Sequence, residues 1–177
     1  MAQSRPMKVF AIAGYSGAGK TVLIERLIPE FTRRGLRIAV VKHSHHGFEI
    51  DHPGKDSFRH REAGAEEVMV VSPERWAIMR ELRNEEEPSL ETLLAQLAAS
   101  PQPCDLALVE GFKSAPIPKL EVVREGADRP LLYPFNPWVV AITAKPPVKT
   151  HLPQFDLDDI ASMADFILQS IQPRPEA

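Results

Sequence analysis

The apolar positions along this chain fall into short runs of alternating kind. Met7 to Ala13 is almost continuously apolar and stops at Gly14. Such a run predicts a strand buried on both faces, as in a parallel sheet. From Lys20 to Arg34 the period changes: Leu23, Leu27 and Phe31 recur every fourth residue, flanked by Ile24 and Ile28. This is the stripe of an amphipathic helix. Pro29 is expected to kink it or loosen its last turn, and Gly35 to end it. A second apolar strand, Arg37 to Lys42, completes a βαβ unit, whose crossover is expected to be right-handed.

Further on the pattern weakens and then returns. Residues 43 to 64 are polar, rich in His, Asp and Gly, and without a period, so a long functional loop is expected. Glu67 to Val71 and Trp76 to Met79 flank Ser72-Pro73-Glu74-Arg75 and predict a hairpin. Leu90 to Ala99 predicts a helix with Ser89 as N-cap. Leu106 to Val109, Lys119 to Val123 and Val139 to Thr143 predict three more strands, the last closing the sheet. Asp158 to Ile171, with Ile160, Met163, Ala164, Ile167 and Ile171 on one face, predicts a closing helix. The alternation implies a three-layer α/β fold with a mainly parallel sheet and an inserted β-hairpin.

Composition adds bounds. The 177 residues carry a formal net charge of −3, with 44% hydrophobic and 25% charged residues. This fits one globular domain, expected over 1–172, with 173–177 as a disordered tail. A mildly acidic chain argues against nucleic acid and anionic membrane as partners. With Cys104 the one cysteine, a disulfide framework is excluded. No apolar run approaches a membrane span, and the polar start has no leader pattern. A cytoplasmic protein is the expectation.

Chemistry enters at the first strand–helix junction. Gly14-Tyr15-Ser16-Gly17-Ala18-Gly19-Lys20-Thr21 fits G-x-x-x-x-G-K-[ST] at every fixed position. Glycines let backbone N–H groups curl around an anion, and the following helix offers its unpaired N–H groups. Gly14, Ser16, Gly17, Ala18 and Gly19 are therefore candidate phosphate ligands. Lys20 would reach the β- and γ-phosphates, and Thr21 would give its hydroxyl to Mg²⁺. A chance match in a chain of this size is on the order of one per cent. Asp105 to Glu110 is an apolar strand ending in a carboxylate, so Glu110 is the candidate acid for the metal, with Gly111 allowing close approach.

Five of the six histidines lie between His43 and His60. Two functions compete for this segment. One is a switch contacting nucleotide, magnesium and a second anion through Lys42, His43, Asp51, Lys55 and Asp56. The other is a transition-metal site, although His43-x-His45-His46 lacks the spacing of a helical metal pair. A solvated polar loop is the plain alternative.

Together the P-loop, Lys42-His43-Ser44-His45-His46, Asp51-His52-Pro53-Gly54-Lys55-Asp56-Ser57, Ala63-Gly64-Ala65 and Val109-Glu110-Gly111-Phe112-Lys113 resemble one family. It is the adaptor family of molybdopterin-guanine dinucleotide biosynthesis, MobB, within the SIMIBI class of P-loop NTPases. The resemblance spans nearly the whole chain and is weakest after about Arg124. It implies a homodimer that binds GTP with Mg²⁺, hydrolyses it poorly, and assists the guanylyltransferase that attaches GMP to molybdopterin. It also implies that Lys42, His43 and the Gly54–Ser57 turn line the phosphate face and meet a molybdopterin intermediate, with Asp51 or Asp56 approaching magnesium. Tyr15 stands where related ATPases carry a lysine acting in trans. No Asn-Lys-x-Asp guanine signature occurs, and Thr143-Ala144-Lys145 is the segment considered for the base. A nickel metallochaperone GTPase and a small-molecule kinase are the competing readings.

Overall fold

The computed structural model describes residues 7–44, 47–124 and 129–171. The expected tail at 173–177, and His45 and His46, lie outside the described residues. The chain forms two compact units: 1–43 with 90–177, and 44–89.

The larger unit holds six parallel strands in the order β2-β5-β1-β6-β7-β8. They are β1 (Lys8–Ala13), β2 (Ile38–Lys42), β5 (Leu106–Glu110), β6 (Lys119–Val123), β7 (Val139–Ala144) and β8 (Gln154–Phe155). The sheet therefore does not end at Thr143 as expected. β8 is only two residues long, too short to leave a period in the sequence. Parallel strands need both faces covered, which is why β1 and β5 read as apolar runs.

One face packs on α1 (Lys20–Arg33) and α4 (Ile160–Ser170). Phe10, Ile12, Leu108, Leu120 and Val122 meet Leu23, Leu27, Phe31, Met163 and Ile167 there. The alternate residues of β1 and β5 take the opposite face. Ala11 and Val109 pack with Leu90 of α3 (Leu90–Ala98) and with Phe112, Ala115 and Ile117 of the crossing segment after β5. The layers are helix, sheet, then helix with crossing segment, as the alternation implied.

Local signals hold at the helix ends. α1 runs through Pro29 to Arg33. Gly35, at φ 81°, then donates to Thr32 O at 2.9 Å, and Leu36 N donates to Phe31 O at 3.1 Å. This is a glycine-closed C-terminus that satisfies two carbonyls. α4 begins two residues later than expected, because the Asp159 side chain caps it by accepting from Ser162 N at 3.1 Å.

Lys119 lies on the α3 side of β6, fully buried. Its Nζ donates to Ala115 O at 2.6 Å. Burial pulls its pKa from the ordinary 10.5 down to about 8. The unfolded chain thus binds more protons between about pH 8 and 10.5, so stability rises with pH there. Urea unfolding from pH 7 to 10 should show wild type gaining on Lys119→Met. A difference that stays flat with pH contradicts this.

In the smaller unit, β3 (Glu67–Val71) and β4 (Trp76–Arg80) form an antiparallel hairpin, with Val71 opposite Trp76. Ser72 Oγ closes the turn by accepting from Arg75 N at 3.1 Å. The expected featureless loop over 43–64 contains a short helix, α2 (Asp56–Glu62). It buries no residue, so it has no apolar stripe for the sequence to show. Arg61 ties it down through paired bonds to Asp51 and a bond to Glu81.

Candidate nucleotide site

The larger unit brings its chemistry to the carboxyl edge of the sheet. β1 ends into the phosphate loop, and Gly14 there has φ 143°. A Cβ on Gly14 would lie 2.7 Å from the Val122 carbonyl oxygen, so a side chain is excluded. Gly17 at φ 76° and Gly19 at φ 99° turn the chain into α1. Gly19 occupies the N-cap position with no capping side chain. The first-turn N–H groups at Lys20, Thr21 and Val22 have no carbonyl within the helix to receive them. A loop of this shape, with a helix amino end behind it, suits phosphate oxygens.

Lys20 Nζ donates to Tyr15 O at 2.9 Å, which folds the lysine over the loop. Desolvation lowers the Lys20 pKa; Glu110 opposes that, and Lys113 and Lys42 add to it. Lys20 therefore sits in a cationic neighbourhood relieved by one nearby acid.

That acid is Glu110. In the sheet register it sits between Ile12 and Lys42. Thr21 Oγ1 donates to Glu110 Oε1 at 2.9 Å, and Lys42 Nζ lies 3.6 Å from Oε2. Two residues chosen from separate parts of the sequence for one metal are thus in hydrogen-bond contact. A hydroxyl and a carboxylate offer the oxygen donors Mg²⁺ takes, with phosphate and water left to fill the remaining positions. The donor set fits the ion.

His43 is placed by the same edge. Its N–H donates to Glu110 O at 2.9 Å, and its ring packs 4.7 Å from that of Phe112. Gly111, at φ 95°, leaves 2.9 Å for a Cβ against His43 Cβ. Phe112 follows at φ 45°, in the left-handed region. His43 thus buttresses the turn that carries Glu110 into Lys113.

Asp51, Lys55 and Asp56 belong to the 44–89 unit. There they line an open groove with His52 and His60 against Val68, Val70 and Met79. Both Asp51 oxygens are engaged by Arg61, at 3.1 and 2.8 Å. That contact holds the Asp51 carboxyl below its usual range. Asp56 is exposed and pairs with Arg59 at 4.0 Å. Among the described residues, no three His, Cys, Asp or Glu side chains gather to hold a metal ion.

The segment considered for the base divides. Thr143 is fully buried, and its hydroxyl has no partner among the described residues. Lys145 is exposed and reaches Asp156 at 3.8 Å and Asp158 at 4.0 Å. Sequence reasoning missed Arg124, whose Nη1 donates to Gly17 O at 3.1 Å, and Arg129, which lies over the Tyr15 ring. The available signal was a basic residue just past β6, the strand beside β1.

Among the described residues no helix is long and apolar enough to cross a membrane. The family model described as "Molybdopterin guanine dinucleotide synthesis protein B" matches residues 9–145. A molybdopterin-guanine dinucleotide biosynthesis adapter protein of Escherichia coli is 39% identical, over 97% of this chain and 98% of that protein. The Haemophilus influenzae protein of the same description is 42% identical, over 90% and 86%. Among solved structures, Bacillus subtilis MobB superposes with a TM-score of 0.72 at 27% identity, covering 95% of this chain and all of that one. A crystal structure of molybdopterin-guanine biosynthesis protein B gives 0.71 at 28% identity, over 91% and 98%.

Proposed function

The chain belongs to the molybdopterin guanine dinucleotide synthesis protein B family, and from that membership we propose that it is a cytoplasmic GTP-holding adaptor. It assists the guanylyltransferase that attaches GMP to molybdopterin. Gly14 to Gly19 and Lys20 hold the triphosphate, and Thr21 with Glu110 serves Mg²⁺. The observation that supports this most is the 2.9 Å contact of Thr21 with Glu110 beside Lys20. Bound Mg²⁺ would neutralise phosphate charge. The chain's own part is to cradle the oxygens with loop N–H groups and to keep Lys20 folded over them.

Weak hydrolysis is part of this reading. Among the described residues, the cavity beside the loop has no glutamine in its lining to orient an attacking water as a glutamine does in GTPases. The test is a reconstitution with guanylyltransferase, molybdopterin cofactor and GTP. Adding the wild-type chain should raise the yield of the guanine dinucleotide, and adding Lys20→Ala should not. Equal yields with both would remove nucleotide binding from the adaptor role.

We also propose a homodimer, supported by the hairpin. Met69, Val71, Trp76 and Ile78 share one hairpin face and are 63%, 74%, 65% and 47% exposed. An apolar face of this kind is rare on a monomer without a partner. Sedimentation should show a dimer for wild type and a monomer for Val71→Glu/Trp76→Glu. A double variant that sediments as wild type places the dimer contact elsewhere.

A further inference from the structure

Position 15, the second residue of the phosphate loop, carries a ring that two cations approach. Lys113 Nζ lies 4.9 Å from the Tyr15 centroid, and Arg129 Cζ 5.0 Å. Each cation is attracted to the ring face. The two repel each other, however, and both are drawn towards a loop that already presents Lys20. An anion that joins such a grouping is attracted by every cation in it.

A cavity of about 130 Å³ opens at the same place, lined by Tyr15 to Ala18, Val123, Arg124 and Arg129. Leu120 and Val122 of β6 enter the core under α1, so Glu121 and Val123 point to the other side of the sheet. Glu121, Val122 and Val123 all line the cavity, so it lies between the phosphate loop and the carboxyl end of β6. The Glu121 carboxylate accepts from Leu132 N at 2.7 Å and Tyr133 N at 3.0 Å. Glu121 thereby pins the segment that carries Arg129.

Charge balance points the same way. Lys20, Lys42, Lys113, Arg124 and Arg129 surround the loop, opposed by Glu110 and Glu121. A magnesium-bound nucleoside triphosphate brings only roughly two negative charges. A phosphate monoester brings about two more at neutral pH. We propose that Tyr15, Lys113, Arg124 and Arg129 form a second anion site beside the nucleotide, which takes the phosphate monoester of a small molecule. The site rests on the reading of Gly14–Thr21 as the nucleotide cradle, and it does not include Lys42.

The experiment is calorimetry with phenyl phosphate as probe, on the full chain saturated with Mg²⁺ and a non-hydrolysable GTP analogue. Phenyl phosphate should bind without displacing the analogue. Arg129→Gln and Lys113→Gln should each weaken it by about tenfold or more, the loss of one charged hydrogen bond. Arg129→Gln should keep the wild-type affinity for the analogue. Competition between phenyl phosphate and the analogue would overturn the site. So would unchanged binding in both variants, or binding of inorganic phosphate but not phenyl phosphate. If the analogue itself fails to bind, the nucleotide reading falls. In that case, phenyl phosphate binding that survives Lys20→Ala and is lost in Arg129→Gln still supports the second site, and its absence overturns that site as well.

Discussion

Replacing Lys20 with alanine is expected to weaken GTP binding by about a hundredfold while leaving the fold intact. Charged hydrogen bonds are worth about 1.5–3 kcal/mol each, and the ammonium is placed to contact two phosphates. The fold has little to lose. The Lys20 ammonium donates to Tyr15 O at 2.9 Å, a loop contact outside the core, and alanine favours a helix at least as well as lysine. Circular dichroism melts should therefore coincide while calorimetry shows the loss. Wild-type affinity in Lys20→Ala would mean that the loop does not bind phosphate as described.

Removing the Thr21 hydroxyl is expected to abolish most of the gain in GTP affinity that Mg²⁺ gives. Wild type should bind GTP at least about tenfold more tightly with Mg²⁺ than with EDTA, since the ion bridges phosphate and protein oxygens. In Thr21→Ala that ratio should fall towards one, and Thr21→Ser should restore it. Glu110→Ala should lower it as well, by a different route. It frees Lys42, which lies 3.6 Å from the carboxylate in wild type, to approach the phosphates, so affinity without metal should rise. A Thr21→Ala protein with the full Mg²⁺ gain would show that the 2.9 Å contact with Glu110 marks no metal position.

Much of this site was legible because its parts are covalently close or bound to a strand end. Gly14 to Thr21 is one contiguous motif. Glu110 is the last residue of an apolar run, and parallel pairing carries such an end to the same sheet edge as the phosphate loop. The register that sets Lys42 opposite Glu110 joins two five-residue strands, β5 beside β1 and β2 on its far side. The six-stranded order itself was not written in any run, since neighbours in a parallel sheet are distant in sequence.

What the sequence concealed was small, polar or collective. α2 buries nothing and β8 has two residues, so neither carries a hydrophobic period. Asp51 looked like a free acid near a metal, but it is engaged by Arg61, ten residues on. A pairing of that kind depends on how α2 turns back. Tyr15 read as a missing lysine at its loop position. The structure shows its ring gathering Lys113 and Arg129 from two other segments, a convergence that no local spacing encodes.

A GTP-selective, magnesium-assisted site at Gly14–Thr21 is the property on which the adaptor role depends. Calorimetry of the wild-type chain with GTP and with ATP, each in Mg²⁺, tests it most directly. One GTP site per chain is expected, with ATP weaker by about tenfold or more, the scale of a few base-reading hydrogen bonds. Equal affinity for the two nucleotides, or no heat with either, would contradict it.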